Sequence, residues 1–193
     1  MSNKIINIAI FASGSGSNTE QIIDYFHNTN INVKFVLTNN QNAPVIQKTQ
    51  SKNIKVITCN NIQVEQPNFI NNICQINNIQ YIILAGFLRK IPTDLIKQYP
   101  NKIINIHPSL LPKYGGKGMY GMNIHNTVKN NGDNESGITI HFVSENFDEG
   151  QRIAQFYTNI NNSDTPSDIQ NKIHQLEKTY FPLIIQNIIN GKI

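Results

Sequence analysis

Short apolar runs alternate along this chain with stretches whose apolar residues recur at helical spacing. Lys4 to Ala12 (KIINIAIFA) is nearly continuous in apolar character, as in a strand buried on both faces. A helical pattern starts at Thr19, with Ile22, Ile23 and Phe26 on one side. Ile31 to Thr38 reads as a second strand, Ala43 to Lys52 as a helix, and Ile54 to Thr58 as a third strand. Asn68 to Asn78 reads as a helix and Tyr81 to Ala85 as a central strand. Pro92 to Tyr99 is a short helix with proline in its first turn. A further strand begins at Ile103 and stops at Pro108, which offers no amide hydrogen to a ladder. Asn123 to Asn130 is helical. Gly137 to Val143 and Gln151 to Ile160 are strands joined by a polar loop. Thr165 to Asn190 is one long helix, expected to be capped by Ser163 or Asp164 and to bend at Pro182.

Strands alternating with helices imply βαβ units. The expected fold is α/β and Rossmann-like: a mostly parallel twisted sheet with helices on both faces. Too few residues join the last two strands for a crossover helix, so they should pair antiparallel toward the C-terminal part. No repeat or linker interrupts the pattern, and 193 residues fit a single domain over 1–193. Hydrophobic residues make up 39%, which is lean but enough for a core. The net charge of +4 is scattered, without a basic run or interleaved aromatics, which argues against nucleic acid and suits anionic small molecules. Cys59 and Cys74 stand alone and read as buried thiols in a reducing compartment. No leader and no membrane-length apolar run is present, so a cytoplasmic protein without membrane partners is expected, as monomer or homodimer.

The chemistry concentrates at two places. Strand alternation puts Asn105 and His107 on one face at the end of the strand that starts at Ile103, beneath the glycine-rich stretch Gly115 to Gly121. The C-terminal ends of strands are where open α/β sheets bind ligands. His107 can move a proton near neutral pH, and Asn105 is a neutral donor; together they can hold the oxygen of a tetrahedral intermediate. Asp148, on the loop between the last two strands, is the carboxylate expected to raise the imidazole pKa. His141 reads as a packed strand residue, His125 as a packing or surface residue, and His27 as a solvated helix-end residue. No metal-ligand spacing is present, so no metal is expected. The second place is Ser13 to Asn18 (SGSGSN), between strand and helix. Glycines there allow close backbone approach, and helix-start amides point at an anion. Thr19 stands where a dinucleotide fingerprint needs its third glycine, and the second strand ends in Thr38-Asn39-Asn40 without an acidic residue. A phosphate monoester fits better than a dinucleotide; the alternative is a tight turn without a ligand.

These blocks carry a resemblance. N-I-H-P-S-L-L-P-K-Y-G-G (105–116), G-S-G-S-N (14–18), A-G-F-L-R-K-I (85–91) and H-F-V-S-E-N-F-D-E-G (141–150) resemble, in matching order, the folate-dependent formyltransferases. The glycine loop narrows the likeness to the phosphoribosylglycinamide formyltransferases of purine synthesis. The resemblance implies formyl transfer from 10-formyltetrahydrofolate to the amine of glycinamide ribonucleotide. It implies Asn105, His107 and Asp148 as the catalytic group. It implies Gly14, Ser15, Gly16, Ser17 and Asn18 around the substrate phosphate, with His174 and Glu177 toward the ribose and glycinamide end. Leu88, Arg89, Lys90 and Ile91, with Asn105, Ser144, Glu145 and Asp148, would line the folate pocket. The segment Asn61 to Phe69 has no Lys or Arg where such enzymes commonly carry a basic residue.

Two rivals are set against this. A formyl-folate enzyme acting on methionyl-tRNA would carry an extra C-terminal domain, and a formyl-folate hydrolase an extra N-terminal one; neither is expected here. A mononucleotide-binding module without catalysis would not need Asn105, His107 and Asp148 to converge.

Overall fold

A computed structural model describes residues 4–193, which pack as two compact units divided between Asn105 and Ile106. The first unit carries β1 (Ile6–Phe11), α1 (Ser17–Phe26), β2 (Ile31–Thr38), α2 (Val45–Gln50) and β3 (Lys55–Thr58). It continues through α3 (Asn61–Glu65), α4 (Phe69–Ile76), β4 (Tyr81–Leu84), α5 (Thr93–Gln98) and the start of β5 (Ile103–His107). Its strands are all parallel, β1 lying between β2 and β4, with β3 beyond β2 and β5 beyond β4. The order explains the composition of β1. Ile8, Ala9, Ile10 and Phe11 are wholly buried because a central parallel strand has helices or neighbours on every side. Phe11 meets Phe87 edge-on, with ring centroids 5.5 Å apart.

Between β1 and β4 the chain changes the direction in which it adds strands. Such a switch point opens a crevice at the C-terminal strand ends. The β1–α1 loop and the segment after β4 both emerge there.

The second unit holds α6 (Met122–Asn130), β6 (Glu135–Phe142), β7 (Arg152–Asn159) and α7 (Pro166–Ile189). β6 and β7 pair antiparallel, as expected from their short connection. Their register shifts between Ile140 and His141. α7 packs on α6, β6 and β7, burying Ile169, Ile173, Phe181 and Ile185. Phe156 of β7 stacks on Tyr180 of α7, with centroids 3.7 Å apart.

Several element boundaries differ from expectation. α1 starts at Ser17 rather than Thr19, so the glycine loop runs directly into the first turn. α5 starts at Thr93, with Pro92 at its N-cap. The cap of α7 is Thr165, not Ser163 or Asp164. Its hydroxyl accepts from the Asp168 amide while the Asp168 carboxylate accepts from the Thr165 amide, a reciprocal capping box with Pro166 at the first position. α7 then runs through Pro182 without interruption. α3 was not expected; a second reciprocal box, between Asn60 and Gln63, starts it.

Candidate active site

The loop Gly14–Asn18 leaves the C-terminal end of β1 and turns into α1. Gly16 makes that turn at φ +75°. A Cβ there would sit 2.6 Å from Val45 Cγ2 and 2.9 Å from Val45 Cα, so the start of α2 packs where a side chain would be. The Val45 amide donates to the Gly14 carbonyl at 3.2 Å, and the first intrahelical bond runs from Glu20 N to Gly16 O at 2.9 Å. Ser13 ties the loop to its neighbours. Its hydroxyl donates to Asn39 at 2.6 Å and accepts from the Leu88 amide at 2.9 Å, while its amide donates to Gly86 O at 3.0 Å. Ser15 and Ser17 are exposed. The amides of Ser17, Asn18 and Thr19 have no acceptor within the helix itself, as at any helix start. The positive end of the α1 dipole adds to them, so this rigid loop suits an anion.

Leu88, Arg89, Lys90 and Ile91 follow β4 in the same unit. Leu88 is about half exposed, Lys90 is exposed, and Ile91 is buried in the core. Arg89 forms an ion pair with Glu65 at the end of α3. The segment 61–69 is therefore faced by a cation that it does not itself supply.

β5 presents Asn105 and His107 two residues apart on one face, with Ile104 and Ile106 buried on the other. His107 is 5% exposed. Its Nε2 lies 2.7 Å from the Tyr114 carbonyl. A carbonyl only accepts, so Nε2 carries a proton, and Nδ1 is the second nitrogen. Nδ1 faces Asp148 Oδ2 at 3.6 Å, a charge contact longer than a hydrogen bond. The neutral ring would turn a lone pair toward the carboxylate; the imidazolium turns a proton toward it.

Asp148 is held in place by its own backbone and by two loops. It adopts φ +57°, and its Oδ2 accepts from the Gly116 amide at 2.9 Å. Gly150, just beyond, lies so close to strand β6 that a Cβ would fall 1.7 Å from Phe142 O, which fixes the loop against the strand end. Ser144 bonds the Asn146 carbonyl at 3.1 Å, and Glu145 is exposed on the same loop. The segment after β5 is tied to the hairpin. Thr139 Oγ1 donates to Ser109 O at 2.7 Å and accepts from Leu111 N at 2.9 Å, while Arg152 and Gln155 both donate to Leu111 O.

Sequence reasoning gives His141 a structural role in its strand. The structure puts its Nε2 3.7 Å from Asp148 Oδ1, so the carboxylate lies between two imidazoles. The β6–β7 register shifts at this position, between Ile140 and His141. His141 donates from Nδ1 to the Phe142 carbonyl at 2.8 Å. Burial pushes its pKa down, against the pull of the Phe142 carbonyl and Asp148, with His107 adding to the lowering. Tyr114 was also missed, although the K-Y-G-G sequence around it was read. On α7, His174 is exposed and Glu177 is 7% exposed, one helical turn apart.

The first unit holds a parallel sheet with a switch point and an anion-ready helix start, and the second a His–carboxylate pair at a strand end, features of a ligand-binding α/β protein. The formyl transferase family model matches residues 6–185, and the chain belongs to that family. It is 33% identical to the phosphoribosylglycinamide formyltransferase of Bacillus subtilis (strain 168), over 94% of this chain and 93% of that protein. It is 32% identical to the chloroplastic phosphoribosylglycinamide formyltransferase of Arabidopsis thaliana, over 92% of this chain. The match covers only 63% of the Arabidopsis protein, less than two thirds of its length. The glycinamide ribonucleotide transformylase 1 structure from Symbiobacterium toebii superposes with a TM-score of 0.88 at 25% identity, covering 99% of this chain and 90% of that one.

Proposed function

We propose that this chain transfers the formyl group of 10-formyltetrahydrofolate to the amine of N1-(5-phosphoribosyl)glycinamide, a step of purine biosynthesis. The observation that carries the reading is the His107–Asp148 pair. One ring nitrogen is fixed on a backbone carbonyl and the other faces a carboxylate at 3.6 Å, at the end of the strand that also bears Asn105. The names of the relatives support the choice of substrates.

In this reading the amine nitrogen attacks the formyl carbon. The carbonyl oxygen becomes an oxyanion held by Asn105 and by His107 through Nδ1–H. Asp148 balances the imidazolium charge and orders a water. The bond from formyl carbon to the folate N10 then breaks, and the proton lost by the amine reaches N10 by that relay. The nucleophile belongs to the substrate, so no serine or cysteine is needed. Aligning two bound reactants supplies several kcal/mol, of the order known for intramolecular reactions (about 7–11 kcal/mol at best).

Gly14, Ser15, Gly16, Ser17 and Asn18 take the phosphate, and His174 and Glu177 the ribose and glycinamide end. Leu88, Arg89, Lys90, Ile91, Ser144 and Glu145 take the folate, with Arg89 paired to Glu65 of the segment 61–69. The two buried unpaired thiols, Cys59 and Cys74, fit a reducing compartment, which we take to be the cytoplasm. A coupled absorbance assay with both substrates tests the reading. Turnover that requires both is expected; no turnover at saturating concentrations of each overturns it.

A further inference from the structure

Both members of the His–carboxylate pair are held by one short stretch of backbone. The Tyr114 carbonyl accepts from His107 Nε2, and the Gly116 amide donates to Asp148. Tyr114 makes this possible by taking the left-handed conformation at φ +57°, which disfavours a residue with a Cβ. Such a conformation persists only when contacts elsewhere hold it. Those contacts come from the side chain. The Tyr114 phenol donates to Asp133 Oδ2 at 2.8 Å and accepts from Asn131 Nδ2 at 2.8 Å. Asn131 and Asp133 flank Gly132, whose φ of +67° turns the chain out of α6, so one helix exit presents both partners. Lys113 pairs with the same carboxylate at 3.5 Å from a mostly exposed position, and the Lys113 carbonyl accepts from Ser109.

We infer that the Tyr114 phenol and the Asp133 carboxylate form a clasp that positions His107. It holds the Tyr114 carbonyl where that oxygen fixes the imidazole by its Nε2–H and leaves Nδ1 as the nitrogen that works. Tyr114 and Asp133 are positioning residues; neither meets the reacting atoms. Burial, with the Asp133 carboxylate, also pushes the phenol pKa up, which keeps it a donor across the working pH range. The inference deepens the formyl-transfer reading and rests on it for its kinetic half only.

The test uses the full chain with Tyr114→Phe, Asp133→Ala and Asp133→Asn. Nitrogen-15 spectra of histidine-labelled protein, assigned by loss of a signal in His107→Gln, report the tautomer of His107 without reference to activity. In spectra recorded at a pH high enough for the ring to be neutral, the wild type is expected to show the Nε2–H form, and Tyr114→Phe and Asp133→Ala mixed tautomers. Their kcat should fall about tenfold with KM for both substrates within about twofold, the mark of lost alignment rather than lost binding. Asp133→Asn keeps an acceptor for the phenol and should restore both readouts. A wild-type tautomer and wild-type kcat in Tyr114→Phe would overturn the clasp. So would an Asp133→Asn variant as impaired as Asp133→Ala. Should Tyr114→Phe not fold, Asp133→Ala decides by the same two readouts. If the wild type transfers no formyl group, the functional reading fails, and the spectra alone decide the clasp.

Discussion

His107 is held at Nε2 by a backbone carbonyl and turns Nδ1 toward Asp148, and that decides what its loss should do. Replacing it with alanine removes the proposed oxyanion donor and the ring that Asp148 faces, while leaving the β1–α1 loop untouched. His107→Ala should lower kcat by about 10²–10⁴-fold with KM little changed, as steady-state kinetics will show. Near-normal turnover in that variant would remove His107 from the mechanism. Gly16 makes the opposite kind of prediction. Gly16→Ala combines a left-handed backbone with contacts under 3 Å to Val45, so it should destabilise the fold by about 1–3 kcal/mol in urea melts. The sequence showed Asn105 and His107 clearly, because strand alternation is local. It offered three carboxylates on the last strand connection, Glu145, Asp148 and Glu149, and the choice of Asp148 rested on the family pattern as much as on spacing. It could not show His141 beside Asp148, because apolar periodicity does not record where a loop carboxylate folds back against a strand residue. Nor could it show Tyr114, whose role lies in a backbone carbonyl.

Among the elements, α6 and α7 carry an acid-sensitive group. His125 of α6 is 2% exposed, and its Nδ1 has no hydrogen-bond partner among the described residues. Burial first, and His174 of α7 second, lower its pKa from 6.5 to about 4. The unfolded chain therefore binds the His125 proton more readily than the folded one. Stability from this group is complete above about 6.5 and is lost as the pH falls toward 4, with about 3 kcal/mol at stake. Urea midpoints across that window should fall with acidity. His125→Leu should flatten the slope by about one proton and hold neutral-pH stability, since it removes an unsatisfied buried nitrogen. An unchanged slope in His125→Leu would show that other groups carry the acid response. The sequence left His125 open between packing and surface, and burial decides the matter. The elements themselves were legible where their apolar runs were long. α3 was missed because five residues give barely one helical turn of periodicity, yet its Asn60–Gln63 box was readable. The same misreading moved the α7 cap to Ser163 or Asp164, although Thr165-Pro166-Ser167-Asp168 spells out the box.

For the whole molecule, the division into compact units falls inside β5, between Asn105 and Ile106, where composition does not change and no linker marks it. What the sequence could give was the fold class, because alternation of strand and helix extends over most of the chain. The link between fold and function at this scale is ligand-linked stability. A substrate that binds only the native state stabilises it by about 2.7 kcal/mol at a hundredfold excess over Kd. For a chain of this size that corresponds to a rise in Tm of roughly 5–10 °C. Glycinamide ribonucleotide should give this shift alone, through its phosphate at the start of α1. Hydrogen exchange should slow at the amides of residues 17–20, the turn that faces the anion. Gly16→Ala should lose the shift beyond its own loss of stability, because the loop can no longer close on Val45. A mononucleotide-binding module would also show protection at residues 17–20, but a formyl-folate analogue would then produce no shift. Shifts from both ligands, with turnover when both are present, separate the enzyme from the module. If saturating ribonucleotide changes neither Tm nor exchange at residues 17–20, the glycine loop is a structural turn and the phosphate is held elsewhere.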